Sequence, residues 1–277
     1  MQNKKIVLIT GATDGIGKAT AIGLAKKQFR IVLLARNAVK AEAVKKEIIM
    51  ISGNNDVDYL LCDLSSQQQV RQLAREFTKK YNHLDVLINN AGVFIPKREV
   101  SVDGIEKTLA TNYLSHFLLT FLLLDSLKKS KQGRIVNVAS KHFGIKLNLN
   151  DFQLSKSYSV FGAMGRTKLA LVMFTKELSK RLIGTNVTVN SIHPGIVKTP
   201  LIKELPGIIQ FFLNLFGISP EKGAENSIFL ASEESIKTVS GEFFVNKKIV
   251  ATSGNANNKA DQKLLWEMSE QLTNIIY

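Results

Sequence analysis

The stretch Thr10-Gly-Ala-Thr-Asp-Gly-Ile-Gly17 sets three glycines, at 11, 15 and 17, between a strand-like run and a segment of helical period. Glycine permits tight turning and close approach of a ligand to the backbone. A loop of this kind that opens a helix offers amide N–H groups and the positive end of the helix dipole, a site for an anion such as a pyrophosphate. The chemistry it predicts is dinucleotide binding. The next strand-like run ends Leu34-Ala35-Arg36. Dinucleotide enzymes that choose NAD usually place an acid at this point to hold the ribose 2′-hydroxyl. Here there is none, and a guanidinium that can pair bidentately with a 2′-phosphate follows, so NADP(H) is expected over NAD(H).

Short runs of Ile, Val and Leu alternate with longer segments of helical period, the pattern of βαβ units. Strands are predicted at about Lys5–Thr10, Arg30–Leu34, Asp58–Cys62, Val86–Asn89, Arg134–Val138, Thr188–Ile192 and Glu242–Val245, with about six helices between them. The runs are continuously apolar, as in strands buried on both faces. The fold class is α/β, a doubly wound parallel seven-stranded sheet (a Rossmann fold) with helices on both faces. Asp103-Gly-Ile-Glu106 has the spacing of a capping box, and Ser219-Pro220-Glu221 sets an N-cap before a first-turn proline. No repeat or linker marks a boundary, so residues 1–277 are expected to form one domain, with a substrate lid at about 199–217 where Pro200, Pro206 and the run Ile208 to Phe216 interrupt the alternation.

The glycine spacing, Gly-x-x-x-Gly-x-Gly, resembles that of the short-chain dehydrogenase/reductase family, and later motifs agree in order along nearly the whole chain. Asp63 follows the third strand, where the family's aspartate contacts adenine, with Leu64 beside it. Asn89-Asn-Ala-Gly92 ends the fourth strand like the family's Asn-Asn-Ala-Gly element. Asn112 lies in the next helix, Ser140 closes Val-Asn-Val-Ala-Ser, Lys168 sits in the helix after it, and His193-Pro-Gly-Ile-Val-Lys-Thr199 resembles the loop on the nicotinamide side. The segment Lys168 to Leu178 is similar to the retinol dehydrogenase-like branch. The resemblance implies a hydride-transferring oxidoreductase. Its cofactor contacts would be Gly11, Thr13, Asp14, Gly15, Ile16, Gly17, Arg36, Asp63, Leu64, Asn90, Ala91, Gly92, Lys168, Pro194, Gly195, Val197 and Thr199. Many NADP-preferring relatives carry a basic residue inside the glycine loop, and Asp14 departs from that.

The resemblance also implies a catalytic set. Lys168 would hold the nicotinamide ribose, Ser140 the substrate oxygen, and Asn112 would support a proton relay through water. A tyrosine four residues before the lysine would protonate the substrate oxygen, on the same helix face. That position is Met164. A thioether has no titratable proton and accepts hydrogen bonds only weakly. Tyr158 is the nearest tyrosine, but six residues are about 600° of helix, roughly 120° off the face. His142, two residues beyond Ser140, is another conceivable donor; His116 and His83 are expected to pack or lie in a loop. The expected reaction is slowed or altered interconversion of a hydrophobic alcohol and its carbonyl compound. The alternative is an NADP(H)-binding protein without turnover, natural or disabled by substitution.

Lys and Arg exceed Asp and Glu by 37 to 23, a formal charge of +14, but the lysine pairs are spread along the chain with no stacking aromatics between them, so no nucleic acid is expected. The longest apolar stretch, Phe117 to Leu124, is far too short to cross a bilayer. No transmembrane segment and a cytoplasmic location are expected, with weak peripheral membrane contact through Ile208 to Phe216 as a minor reading. Cys62, the single cysteine, excludes an internal disulfide, and no histidine has a metal-site companion, so no metal is expected. Phe117 to Leu124 is apolar nearly all round. In relatives that helix and the one bearing Lys168 form a dimer face, so a homodimer acting on a small lipophilic substrate is expected.

Overall fold

The computed structural model describes residues 4–141, 147–198 and 217–276. His142, Thr199 and the expected lid, apart from Gly217, lie outside the described residues.

Strands β1 (Ile6–Thr10), β2 (Arg30–Ala35), β3 (Val57–Leu61), β4 (Val86–Asn89), β5 (Gly133–Val138), β6 (Val187–His193) and β7 (Phe243–Val245) form a parallel sheet in the order β3-β2-β1-β4-β5-β6-β7. Each strand matches one read from the sequence to within a residue or so. The sheet is larger than expected by one strand. A two-residue β8 (Lys248–Ile249) pairs antiparallel to β7 across Asn246-Lys247, both of positive φ, the geometry of a tight hairpin turn.

Period-two alternation divides each strand between two apolar layers. Ile6 and Leu8 face a layer that includes Phe77, Phe117, Phe174 and Trp266, whereas Val7 and Ile9 face one with Leu24, Ile48 and Leu230. The second layer is supplied by α1 (Gly15–Lys26) and α2 (Ala38–Ser52). The first is supplied by α3 (Gln67–Lys80), by α4 (Lys107–Leu109), α5 (Ser115–Leu122) and α6 (Leu124–Lys128), and by α7 (Val160–Arg181). α8 (Pro220–Ser232) returns to the α1 side, and α9 (Lys259–Thr273) packs on α7. Ser219 caps α8 at Lys222 N, with Pro220 in its first turn, as its sequence predicts. The capping box at 103–106 does not form. Glu106 itself caps α4 through Thr108 N and Leu109 N, while the Asp103 carboxylate accepts from Gln67 N at the start of α3.

The C-terminal helix is absent from the sequence reading, and it covers the face on which a homodimer is expected. Trp266 of α9 is buried at 5.4 Å from Phe117 and 5.2 Å from Phe121, ring centre to ring centre, with the Arg181 guanidinium 3.9 Å over its ring. Tyr113 and Ser269 share a hydrogen bond of 2.9 Å. Ser115 to Thr120 of α5 are thus buried within one chain, while Phe121 and Leu122 are half-buried.

The order β3-β2-β1-β4 places the reversal of strand order between β1 and β4. At such a point the loops leaving neighbouring strands diverge in opposite directions, and the crevice beyond the carboxyl ends receives ligands.

Candidate active site

The loops after β1 and β4 are bound to each other there. The Thr10 hydroxyl accepts from Asn90 N and Ala91 N, both at 2.8 Å, and the Asn90 side chain donates to the Thr10 carbonyl at 2.9 Å. Gly11 and Gly15 have φ of 63° and 48°. A Cβ on Gly11 would stand 2.8 Å from the Ala91 Cα, and one on Gly17 would stand 2.6 Å from Asn90 Nδ2. Side chains at 11 and 17 would therefore push the two loops apart. Asn90 thus shapes the glycine loop from beneath.

Asp14 caps α1 by accepting from Gly15 N at 2.8 Å. Ile16 and Gly17 follow in the first turn, where amides have no acceptor within the helix. This donor set suits a pyrophosphate. Arg36 is exposed directly beyond β2. The Asp63 carboxylate accepts from Ser65 N at 2.9 Å and from the Ser65 hydroxyl at 2.8 Å, closing a turn before Ser66 caps α3, with Leu64 buried beside it. Beyond β6, Pro194 and Gly195 lead into Val197, which bridges to Ile218. Gly195 has φ of 93°, and a Cβ there would meet Ile218 at 2.7 Å.

On the other side of the crevice, Asn112 sits in a wide π-type turn, Ala110–Leu114, between α4 and α5. Turns of this kind recur at functional sites. The Asn112 side chain accepts from Val93 N at 2.7 Å and donates to Val93 O at 3.0 Å, tying the strand-four loop to the helix. Its amide also stands 3.6 Å from Met164 Sδ. Its main-chain carbonyl accepts from His116 Nδ1 at 3.1 Å, which leaves Nε2 to accept from Thr10, 3.2 Å away. Burial, with the nearby Lys168 charge, lowers the His116 pKa to about 3 against the opposing Asn112 bond. The ring is neutral and structural, as its sequence position suggests.

α7 is capped by Ser159 and carries Met164 and Lys168 on one face. Lys168 Nζ donates to the Val138 carbonyl at 2.6 Å, two residues before Ser140 at the end of β5. Burial of this ammonium pushes its pKa down to about 8. Tyr158 spends its proton on the Ile95 carbonyl at 2.7 Å. Burial raises its pKa, with the Glu106 charge adding to this, although a hydrogen bond to Thr108 works against it. A general acid at this position needs the opposite shift. The Cys62 thiol is buried and raised to about 12, which makes it inert. Among the described residues no three His, Cys, Asp or Glu side chains group as metal ligands. None of the helices among them is long and apolar enough to cross a membrane.

The structure joins Asn112 to Met164 and anchors Lys168 at the end of β5, two residues before Ser140, while the glycine loop is bound to Asn90 and Ala91. Sequence reading missed Thr10, whose hydroxyl joins the two loops, and Lys40, whose ammonium reaches Asp14 at 2.6 Å. For Lys40 the signal is its place one helical turn beyond Arg36.

A doubly wound sheet with a glycine loop beside its reversal point is the architecture of dinucleotide-binding proteins. The chain belongs to the short-chain dehydrogenase/reductase family, in its retinol dehydrogenase-like branch: a family model described as short chain dehydrogenase matches residues 5–207. It is 38% identical over 269 residues to human retinol dehydrogenase 11, covering 96% of this chain and 84% of that protein. Human polyprenol dehydrogenase is 36% identical over 283 residues, with 98% and 86% covered. Among solved structures, one from Mycobacterium Paratuberculosis superposes with a TM-score of 0.79 at 29% identity, covering 98% of this chain and 94% of that one. The RhlG/NADP complex of Pseudomonas aeruginosa superposes with a TM-score of 0.71 at 26% identity, covering 87% and 93%.

Proposed function

We propose that this chain is an NADP(H)-dependent oxidoreductase of hydrophobic alcohols and their carbonyl compounds, in which Met164 removes the usual proton donor and slows turnover. The observation that carries the cofactor reading is the end of β2, where Ala35 is followed by exposed Arg36 with no acid to receive a ribose hydroxyl. The RhlG complex with NADP supports the same reading. The names of the retinol and polyprenol dehydrogenases support a lipophilic substrate.

When bound, the nicotinamide supplies or accepts hydride at the substrate carbon. Ile16 and Gly17 N–H groups would hold the pyrophosphate, Arg36 the 2′-phosphate, and Asp63 and Leu64 the adenine side. The Lys168 ammonium would hold the nicotinamide ribose, with the Pro194 to Val197 loop beside it. Ser140 donates a hydrogen bond to the substrate oxygen. Met164 donates nothing, and positioned acid catalysis contributes typically about 10²–10⁴-fold. What remains is positioning by the cofactor, Ser140 and Lys168, which still favours reaction. A second reading, cofactor binding without turnover, draws on the Asn112 amide turned to the Met164 sulfur, where a reacting oxygen's proton donor would be needed.

The test is fluorescence titration of the protein with NADPH and NADH, beside Arg36→Gln. The reading predicts NADPH binding about tenfold or more tighter than NADH, with the difference reduced in Arg36→Gln. Equal binding of the two cofactors would overturn the NADP(H) assignment.

A further inference from the structure

Asp14 and Lys40 come from different βα units, yet they meet at the N-terminus of α1. Asp14 caps α1, and its second carboxylate oxygen receives Lys40 Nζ at 2.6 Å. Lys40 stands in the first turn of α2, with its amide on the Asn37 cap at 2.9 Å, one turn beyond Arg36. The ammonium therefore lies at the N-terminus of α1, on a helix that starts two residues after the exposed Arg36, and so joins the ribose 2′-group end of β2 to the pyrophosphate end of α1. Both side chains are about half exposed, 51% for Lys40 and 48% for Asp14, so the ion pair can open without unfolding anything. Burial works to raise the Asp14 pKa, but the bonds from Lys40 and Gly15 and the Lys40 and Lys18 charges outweigh it and hold the carboxylate ionised.

We infer that Lys40 is a second ligand of the cofactor's 2′-phosphate and that Asp14 sets the strength of that contact by holding the ammonium until the phosphate arrives. The inference rests on the NADP(H) reading above and adds to it a residue and a competitor. Arg36 alone offers one cation to a phosphate dianion; Lys40 is placed to supply the other as a point charge on a flexible stem. Asp14, as a carboxylate near the same phosphate, both repels it and competes for Lys40. The apparent conflict between Asp14 in the loop and a cofactor with an extra phosphate is thereby resolved: the carboxylate weakens an otherwise stronger preference.

The experiment is binding of NADPH and NADH by fluorescence to the unaltered protein, Lys40→Gln, Asp14→Asn and the double variant. Asparagine keeps the helix cap. Lys40→Gln is expected to weaken NADPH about tenfold and leave NADH unchanged. Asp14→Asn is expected to tighten NADPH roughly two- to fivefold, with a smaller gain when Lys40 is already replaced. Adenosine 2′,5′-bisphosphate, titrated by calorimetry, is expected to follow the NADPH pattern without any nicotinamide. If NADPH is preferred and Arg36→Gln reduces the preference while Lys40→Gln does not, the inference is overturned and the cofactor reading stands. If the unaltered protein does not prefer NADPH at all, both fall together. Equal weakening of NADPH and NADH by Lys40→Gln also overturns the inference, since that marks damage to α2.

Discussion

The side-chain amide of Asn112 stands 3.6 Å from the sulfur of Met164 while its remaining hydrogen-bonding capacity is committed to the Val93 backbone. The two residues lie 52 positions apart, on the wide turn before α5 and on α7, so this contact joins the two helices that wall the crevice. A thioether is a weak acceptor, and the contact is one of packing more than of polar attraction.

Replacing Asn112 should therefore be felt first as lost structure. Asn112→Ala leaves Val93 N–H and C=O without their partner and is expected to lower stability by about 1–3 kcal/mol. Urea unfolding of the two proteins measures it. A loss of cofactor binding without a loss of stability would assign Asn112 to the ligand instead.

Lys168 is held at a cost to the fold. Its pKa falls from 10.5 to about 8 on burial, so the folded state binds its proton less well than the unfolded one. For a lysine with a depressed pKa the penalty is fully present below pH 8 and disappears as pH rises from about 8 to 10.5. At pH 7 it amounts to about 3 kcal/mol at most. Lys168→Met is expected to be more stable than the unaltered protein at pH 7, by less than that because the bond to Val138 is lost, and the gap is expected to narrow at pH 9.5. Chemical unfolding at the two pH values checks the sign. The same variant is expected to bind NADPH more weakly, the trade of stability for function that active-site charges show.

Trp266 tests the C-terminal helix. It fills the space between Phe117, Phe121 and Phe174 beneath the Arg181 guanidinium. Trp266→Ala is expected to cost about 3–5 kcal/mol and to expose the apolar face of α5 and α7. Thermal unfolding gives the first quantity, and sizing chromatography shows whether the uncovered face then self-associates. An unchanged midpoint would show that α9 adds little to the core.

The central strands β1, β2 and β4 were legible as nearly continuous apolar runs, which burial on two faces favours, whereas β3 and β6 carry polar residues and were legible from their β-branched residues and their place in the alternation. The glycine loop was legible because its neighbours on both sides have opposite periodicities. β8 was not, since Asn246-Lys247 lacks the glycine that usually marks a hairpin turn and the strand has two residues. Asp103 and Glu106 have capping-box spacing, yet they cap different helices, because a carboxylate satisfies whichever amide the tertiary fold brings near. The wide turn at Asn112 leaves no local signal, and the Val93 backbone its side chain binds comes from another part of the chain. Of the candidate site residues, Arg36 was readable from its place at a strand end, whereas Lys168 and Met164 came from the family resemblance. Lys40, Thr10 and the Asn90 contact required knowing that the first, second and fourth strands are neighbours.

The most direct measurement is the reduction of a panel of hydrophobic aldehydes and ketones by the protein and by Met164→Tyr, each saturated with NADPH. The account predicts that both bind the cofactor and that Met164→Tyr turns over about 10²–10⁴-fold faster. Reduction by the unaltered protein at the rate of Met164→Tyr would contradict it, by showing that another group already donates the proton.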